Sequence, residues 1–214
     1  MATVTASGGM RLSWRGFATA LAVAIFLYLV VRFLSSGIPG VARQPEAKQW
    51  AYWLHIAGGC TVMALGPFQF IAPIRNRFRK YHRWAGYTFV AGSVAAFLGY
   101  WAVQPVRFDV FRASQTVAIT LWMAAMVAAV IAARRKRFLT HQHNMTRAFV
   151  LAAYFVVVRL VDPAMGTVGP WLSTNEGAAL AHSDWVAWVI PLAAVEVYYG
   201  RKWDRLLKRR GERG

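Results

Sequence analysis

Carboxylates are scarce in this chain: eight Asp and Glu stand against 25 Lys and Arg in 214 residues, and charged residues of both signs make up only 15%. A soluble globular domain carries about a quarter, so an ordinary water-facing surface is excluded. Cysteine is nearly absent too. Cys60 is the single one, which rules out an intramolecular disulfide and any cysteine-based zinc motif. It lies inside an apolar run and reads as a small hydrophobe. Gly-x-Ser-x-Gly, His-Glu-x-x-His and phosphate-cradling glycine loops are missing as well. Repeats, low-complexity tracts and a separate soluble domain are also lacking.

What is present is apolar. Hydrophobic residues make up 57% of the chain, with ten Trp, thirteen Phe and eight Tyr. A bilayer core about 30 Å thick needs roughly 20 apolar residues per helix. Six runs meet that length: Phe17 to Leu34, Trp50 to Ile74, Trp84 to Gln104, Ala113 to Ala133, Arg147 to Met165 and Asp184 to Gly200. The expected fold is all-α, an integral membrane bundle of about six transmembrane helices. The first run follows Arg11 and Arg15, but it is long for a signal-peptide core and has no clean cleavage site after it. It is therefore expected to stay as an anchor. Pro67 and Pro191 should kink the second and sixth helices. Ser173-Thr174-Asn175-Glu176 fits a capping box, so the sixth helix should begin near Thr174.

The net charge of +17 would suit nucleic acid only if the cations shared one face of a folded domain. Instead they cluster between the apolar runs. Arg75 to Arg83 holds five, Arg134 to Arg147 five and the tail from Arg201 seven, which with Arg11 and Arg15 makes nineteen of the 25. All these segments fall on one side of a six-span topology, so both termini are expected in the cytoplasm. Nucleic acid is excluded as a partner, and anionic lipids are the expected partners of the basic segments. Three regions follow: an anchor region over 1–49, a four-helix core over 50–166, and an outer loop, last span and basic tail over 167–214.

Ionisable groups at membrane depth mark candidate sites. Arg159 lies twelve residues beyond Arg147, about 18 Å along the fifth helix at 1.5 Å per residue, and Asp162 follows at i+3 as a local ion-pair partner. His55 lies about 7 Å inside the outer end of the second helix, and His182 falls in the first turns of the sixth. On helix two, His55, Gly59, Val62 and Gly66 share one stripe, where glycine lets a backbone or flat ligand approach. On the inner side, His82 begins the third helix, His141 and His143 lie in the basic segment before the fifth, and Gln69 and Glu196 occupy inner halves of their helices. Asp162 and Glu196 fall near opposite membrane faces, so no acid–base pair of carboxylates forms and a hydrolase is disfavoured.

His55, Leu65-Gly66-Pro67-Phe68-Gln69-Phe70, His82-Arg83-Trp84-Ala85-Gly86, His141-Gln142-His143-Asn144-Met145-Thr146-Arg147 and Arg159-Leu160 together resemble the bacterial membrane proteins catalogued as domain of unknown function 2306. The likeness covers roughly Trp50 to Pro163. Where that family often has Trp before the Met, this chain has Asn144. The resemblance implies a multi-pass bundle in a bacterial inner membrane and marks His55, His82, His141, Arg147 and Arg159, without an activity.

Three functions stay open from the residues. His55 and Arg159 could hold an anionic or hydroxylated small molecule in an outer-leaflet pocket. Alternatively, a b-type haem protein would use His55 with His182 for an outer haem, Arg159 on a propionate, and His82 with His141 for an inner one; such a chain would be a redox subunit. Last, the same groups would serve only as structural pairs in a membrane scaffold or transport-related protein.

Overall fold

The computed structural model describes residues 41–103, 110–172 and 176–211, with single positions at 28, 30, 31, 35 and 38 before them; the side chains of 72–74, 110–111, 159–172, 176–183 and 209–211 lie outside that description. Most of the first apolar run, the His182, Arg159 and Asp162 side chains, and the Ser173-Thr174-Asn175 part of the capping box therefore fall beyond it. From Glu46 on, the described residues form six helices in order: α1 (Glu46–Phe70), α2 (Ala72–Arg77), α3 (Arg79–Val103), α4 (Val110–Arg134), α5 (Phe138–Leu172) and α6 (Glu176–Gly211). Among the described residues there is no strand. By length and composition alone, Arg79–Val103 and Arg112–Arg134 are able to cross a membrane.

The second apolar run divides between two helices. α1 continues through Pro67, which lies inside it, then breaks at Ile71, where the backbone is extended, before the short α2. α5 starts nine residues ahead of its apolar run, because the polar residues from Phe138 onward extend the helix without a break. His141 and His143, expected in a basic connection, thus sit in the first turns of α5. Between α4 and α5 the chain turns at Lys136, whose φ is 56°. The N–H groups of Lys136 and Arg137 donate back to the carbonyls of Ala133 and Ala132, a C-terminal motif that satisfies the last turn of α4.

α1 packs chiefly on α3, while α4, α5 and α6 pack on one another. The α1–α3 contact is backbone on backbone. A Cβ on Gly58 would stand 2.5 Å from the Ala96 nitrogen and the Gly92 oxygen, and one on Gly99 would stand 2.6 Å from the Ala51 oxygen and the His55 nitrogen. Small residues spaced this way let helices approach closely where lipid supplies no hydrophobic drive. The stripe expected to do this is His55, Gly59, Val62 and Gly66. In the fold, the neighbouring position Gly58 makes the approach, and Gly59 has nothing within 4 Å of its added Cβ. The two groups of helices meet where α3 touches α4, with the Tyr100 and Thr116 hydroxyls 3.0 Å apart, and where α1 touches α5: Gly66 lies under the Phe149 ring, and the His55 and Phe155 rings meet edge to face at 6.0 Å.

The centre is filled by Phe89, Ile119, Trp122, Leu151 and Tyr154, all at most 2% exposed. Large apolar side chains also cover the outside. Trp50, Trp53 and Trp101 are exposed near one end of the bundle, and Trp84, Tyr87 and Tyr198 toward the other, as interfacial aromatics would be at the two surfaces of a bilayer.

Candidate functional site

His55 is placed by the glycine contact. Because Gly99 carries no side chain, the α3 backbone closes onto the turn of α1 that holds His55, and His55 Nδ1 lies 2.7 Å from the Ala96 carbonyl oxygen. A carbonyl accepts and never donates, so Nδ1 carries the hydrogen and Nε2 is left to act as the acceptor. Fixing one ring nitrogen on a backbone carbonyl orients the other toward a ligand.

That ring borders a small, partly open cavity of about 20 Å³, lined by His55, Gly59 and Met63 of α1, Trp122 of α4, and Ala152, Phe155 and Val156 of α5. This is room for about one water-sized group. Trp122 is 2% exposed, and its indole Nε1–H has no hydrogen-bond partner. A buried donor without a partner costs about 1–3 kcal/mol. His55, with one ring nitrogen left to accept, and Trp122, with an unmet donor, thus both line the same small, mostly apolar space. A hydroxyl, which donates and accepts at once, matches both. The sequence points to His55 and Gly59 but not to Trp122, which reads there as one more interface aromatic; its place in the middle of an apolar run is the signal that could have set it apart.

A second polar group lies at the cationic end. Arg147 Nε and Nη2 donate to Glu196 Oε1 and Oε2 at 2.6 and 2.5 Å, a two-pronged geometry suited to guanidinium and carboxylate. Asn144, 8% exposed, accepts from Arg147 Nη1 at 3.1 Å and so steadies the pair. His143 Nε2 stands 3.3 Å from Glu196, and its ring stacks on Tyr199 at 4.3 Å. His143 lies ahead of the apolar run that begins at Arg147; burial, followed by the nearby Arg147 charge, holds its ring below the usual imidazole range against the pull of Glu196. The sequence places Glu196 at this depth but gives it no partner.

The remaining candidates divide. His141 donates through Nδ1 to the Ala129 carbonyl at 2.9 Å, and His141 is close enough for its charge to act on His82. Both lie at the cationic end, on helices that do not pack on one another. His55 lies apart from them, at the mid-bundle cavity. Among the described residues no group of three or more potential metal ligands converges. Toward the end of the bundle away from the cations, Tyr154 OH donates to Asp184 Oδ1 at 2.6 Å, and Trp188 Nε1 donates to Ser114 at 2.9 Å.

Among known proteins, a family model described as "Predicted membrane protein (DUF2306)" matches residues 52–199, further toward the C-terminus than the motifs from Trp50 to Pro163. No curated protein and no solved structure matches the chain.

Proposed function

This chain belongs to the DUF2306 family of predicted membrane proteins, and from that premise we propose that it is a multi-pass binding protein for a small hydroxyl-bearing molecule, held inside the membrane by His55 and Trp122. The observation that carries this is that His55, oriented by its bond to Ala96, and Trp122, whose indole N–H is unmet, line one small cavity. Arg159 stands one helical turn beyond Phe155 in sequence, and under this proposal its charge assists at the same level, the expectation for an intramembrane Arg. The six-span arrangement with both termini in the cytoplasm, the bacterial inner membrane and the contact of the basic segments with anionic lipid belong to the same proposal. Their support is the sidedness of the cations and the family description.

The test is organic extraction of the detergent-purified protein followed by mass spectrometry. Wild type is expected to yield about one hydroxylated lipophilic molecule per chain. His55→Phe and Trp122→Phe should reduce it at least about tenfold, since a site built to hydrogen-bond a hydroxyl rejects strongly when one partner is lost. Gly59→Val, which adds bulk at the cavity lining and leaves His55 in place, should do the same. An extract unchanged by all three substitutions would end the proposal.

A b-type haem is the second reading, favoured by the anchoring of His141 on a backbone carbonyl, which is how axial histidines are oriented. Under that reading the chain is a redox subunit. An absorption scan of the same preparation decides it: a Soret band that shifts on dithionite reduction and disappears in His141→Ala supports haem, and a colourless protein removes it.

A further inference from the structure

The cationic end of the bundle contains a set of polar groups used neither by the His55 cavity nor by the Arg147–Glu196 pair. Gln69 lies in the last turn of α1, is 8% exposed, and its Nε2 has no hydrogen-bond partner. Its Oε1 comes within 3.9 Å of where a Cβ on Gly86 would stand. Gly86 follows His82 by four residues, so the Gln69 amide lies against the face of α3 that carries His82. His82 Nδ1 is likewise buried without a partner. Arg75, from α2, and His141 are near enough for their charges to act on His82.

Among the described residues no carboxylate pairs with this group. Glu196, at the same end of the bundle, is taken up by Arg147 and His143, and Arg75 has no ion-pair partner among the described residues. An unmet amide donor and an unmet imidazole nitrogen on packed helices, with an unpaired guanidinium on the short α2 that packs on α3, make a poor structural end for a bundle and a good receptor for an oxyanion. Guanidinium and neutral N–H donors together are the usual means of holding phosphate.

We infer that Gln69, His82 and Arg75 form a binding site for a phosphate-bearing anion at the cationic end of the bundle, supplied either by the head group of an anionic phospholipid or by free phosphate. The position beside the exposed Trp84 and Tyr87, 60% and 74% exposed, sets the site at the level where head groups lie. This goes beyond general attraction of the basic segments to an anionic surface, because it names one stoichiometric site with two uncharged donors.

The full-length protein, delipidated in detergent, would be titrated separately with dioleoylphosphatidylglycerol, dioleoylphosphatidylcholine and inorganic phosphate. Bound lipid is counted by native mass spectrometry, and phosphate is followed by thermal unfolding and by competition. One phosphatidylglycerol per chain should bind at least about tenfold more tightly than phosphatidylcholine. Arg75→Gln and Gln69→Met, each checked for helical content, should weaken that binding about tenfold. Arg135→Gln, an exposed cation at the same end, should change it less than about twofold. Phosphatidylglycerol binding that inorganic phosphate does not displace assigns the head group. Phosphate binding alone, lost in the same two variants, assigns the free anion, and either result upholds the site. Equal binding of the two lipids with no phosphate response would overturn it. So would equal losses in Arg135→Gln and Arg75→Gln, or a haem spectrum that His82→Ala abolishes.

Discussion

Gly58→Val is expected to cost at least about 3 kcal/mol of stability and to leave little folded protein, because overpacking of a close backbone contact has no flexible neighbour to yield. A bare Cβ at this position would already lie 2.5 Å from two backbone atoms of α3. The branched side chain of valine adds two further carbons, and neither Ala96 nor Gly92 has a side-chain end that can swing away. Gly59→Ala, one residue further on, should be tolerated or should stabilise by up to about 1 kcal/mol through helix propensity, since its Cβ meets nothing within 4 Å. Unfolding in detergent by heat or by added sodium dodecyl sulfate, read by circular dichroism, compares the two. Adjacent glycines thus report which face of α1 meets α3. Equal effects at the two sites would mean that α1 does not turn its Gly58 face toward α3.

Tyr154→Phe should destabilise by about 1.5–3 kcal/mol, the range for loss of a hydrogen bond to an ionisable acceptor that stays buried. Tyr154 and Asp184 are 0% and 1% exposed, and the hydroxyl stands 2.6 Å from Oδ1. The phenyl ring keeps the volume, so packing is retained and the loss comes from the hydroxyl. Thr120→Val is the control: Thr120 is exposed, and its hydroxyl returns only to the carbonyl one turn back. That change should remain within about 0.5 kcal/mol. Matching losses in the two variants, measured by the same unfolding titration, would mean that the bond to the buried carboxylate adds nothing to stability.

The helical class and most of the element order were legible in the sequence because hydropathy runs and cation clusters are one-dimensional signals. Their ends were less so. α5 begins at Phe138 rather than Arg147 because polar helix formers extend a helix past its apolar stretch, and hydropathy cannot register that. His55 stands out because an imidazole in an apolar run is conspicuous, yet its acceptor, Ala96, lies 41 residues away on another helix. Gly59 rather than Gly58 falls on the expected stripe, and the error has a geometric reason. Adjacent helical positions differ by about 100°, and a glycine pair leaves the contacting face undetermined until the neighbouring helix is known. Asp184 reads as the polar start of a span and is instead buried against Tyr154. The Arg147–Glu196 pair joins residues 49 apart, and no spacing rule within one helix connects them.

A hydroxyl-binding role requires His55 to hold its Nδ1–H on Ala96 and to offer Nε2 to a small polar group shared with Trp122. Solid-state ¹⁵N NMR of ring-labelled histidine, with the protein in bilayers and His55 assigned by its loss in His55→Gln, measures this directly. The expected spectrum has hydrogen on Nδ1, none on Nε2, and an Nε2 resonance that moves when Trp122→Phe removes the facing donor. A His55 ring protonated at Nε2 and bare at Nδ1, or an Nε2 signal indifferent to Trp122→Phe, would contradict it.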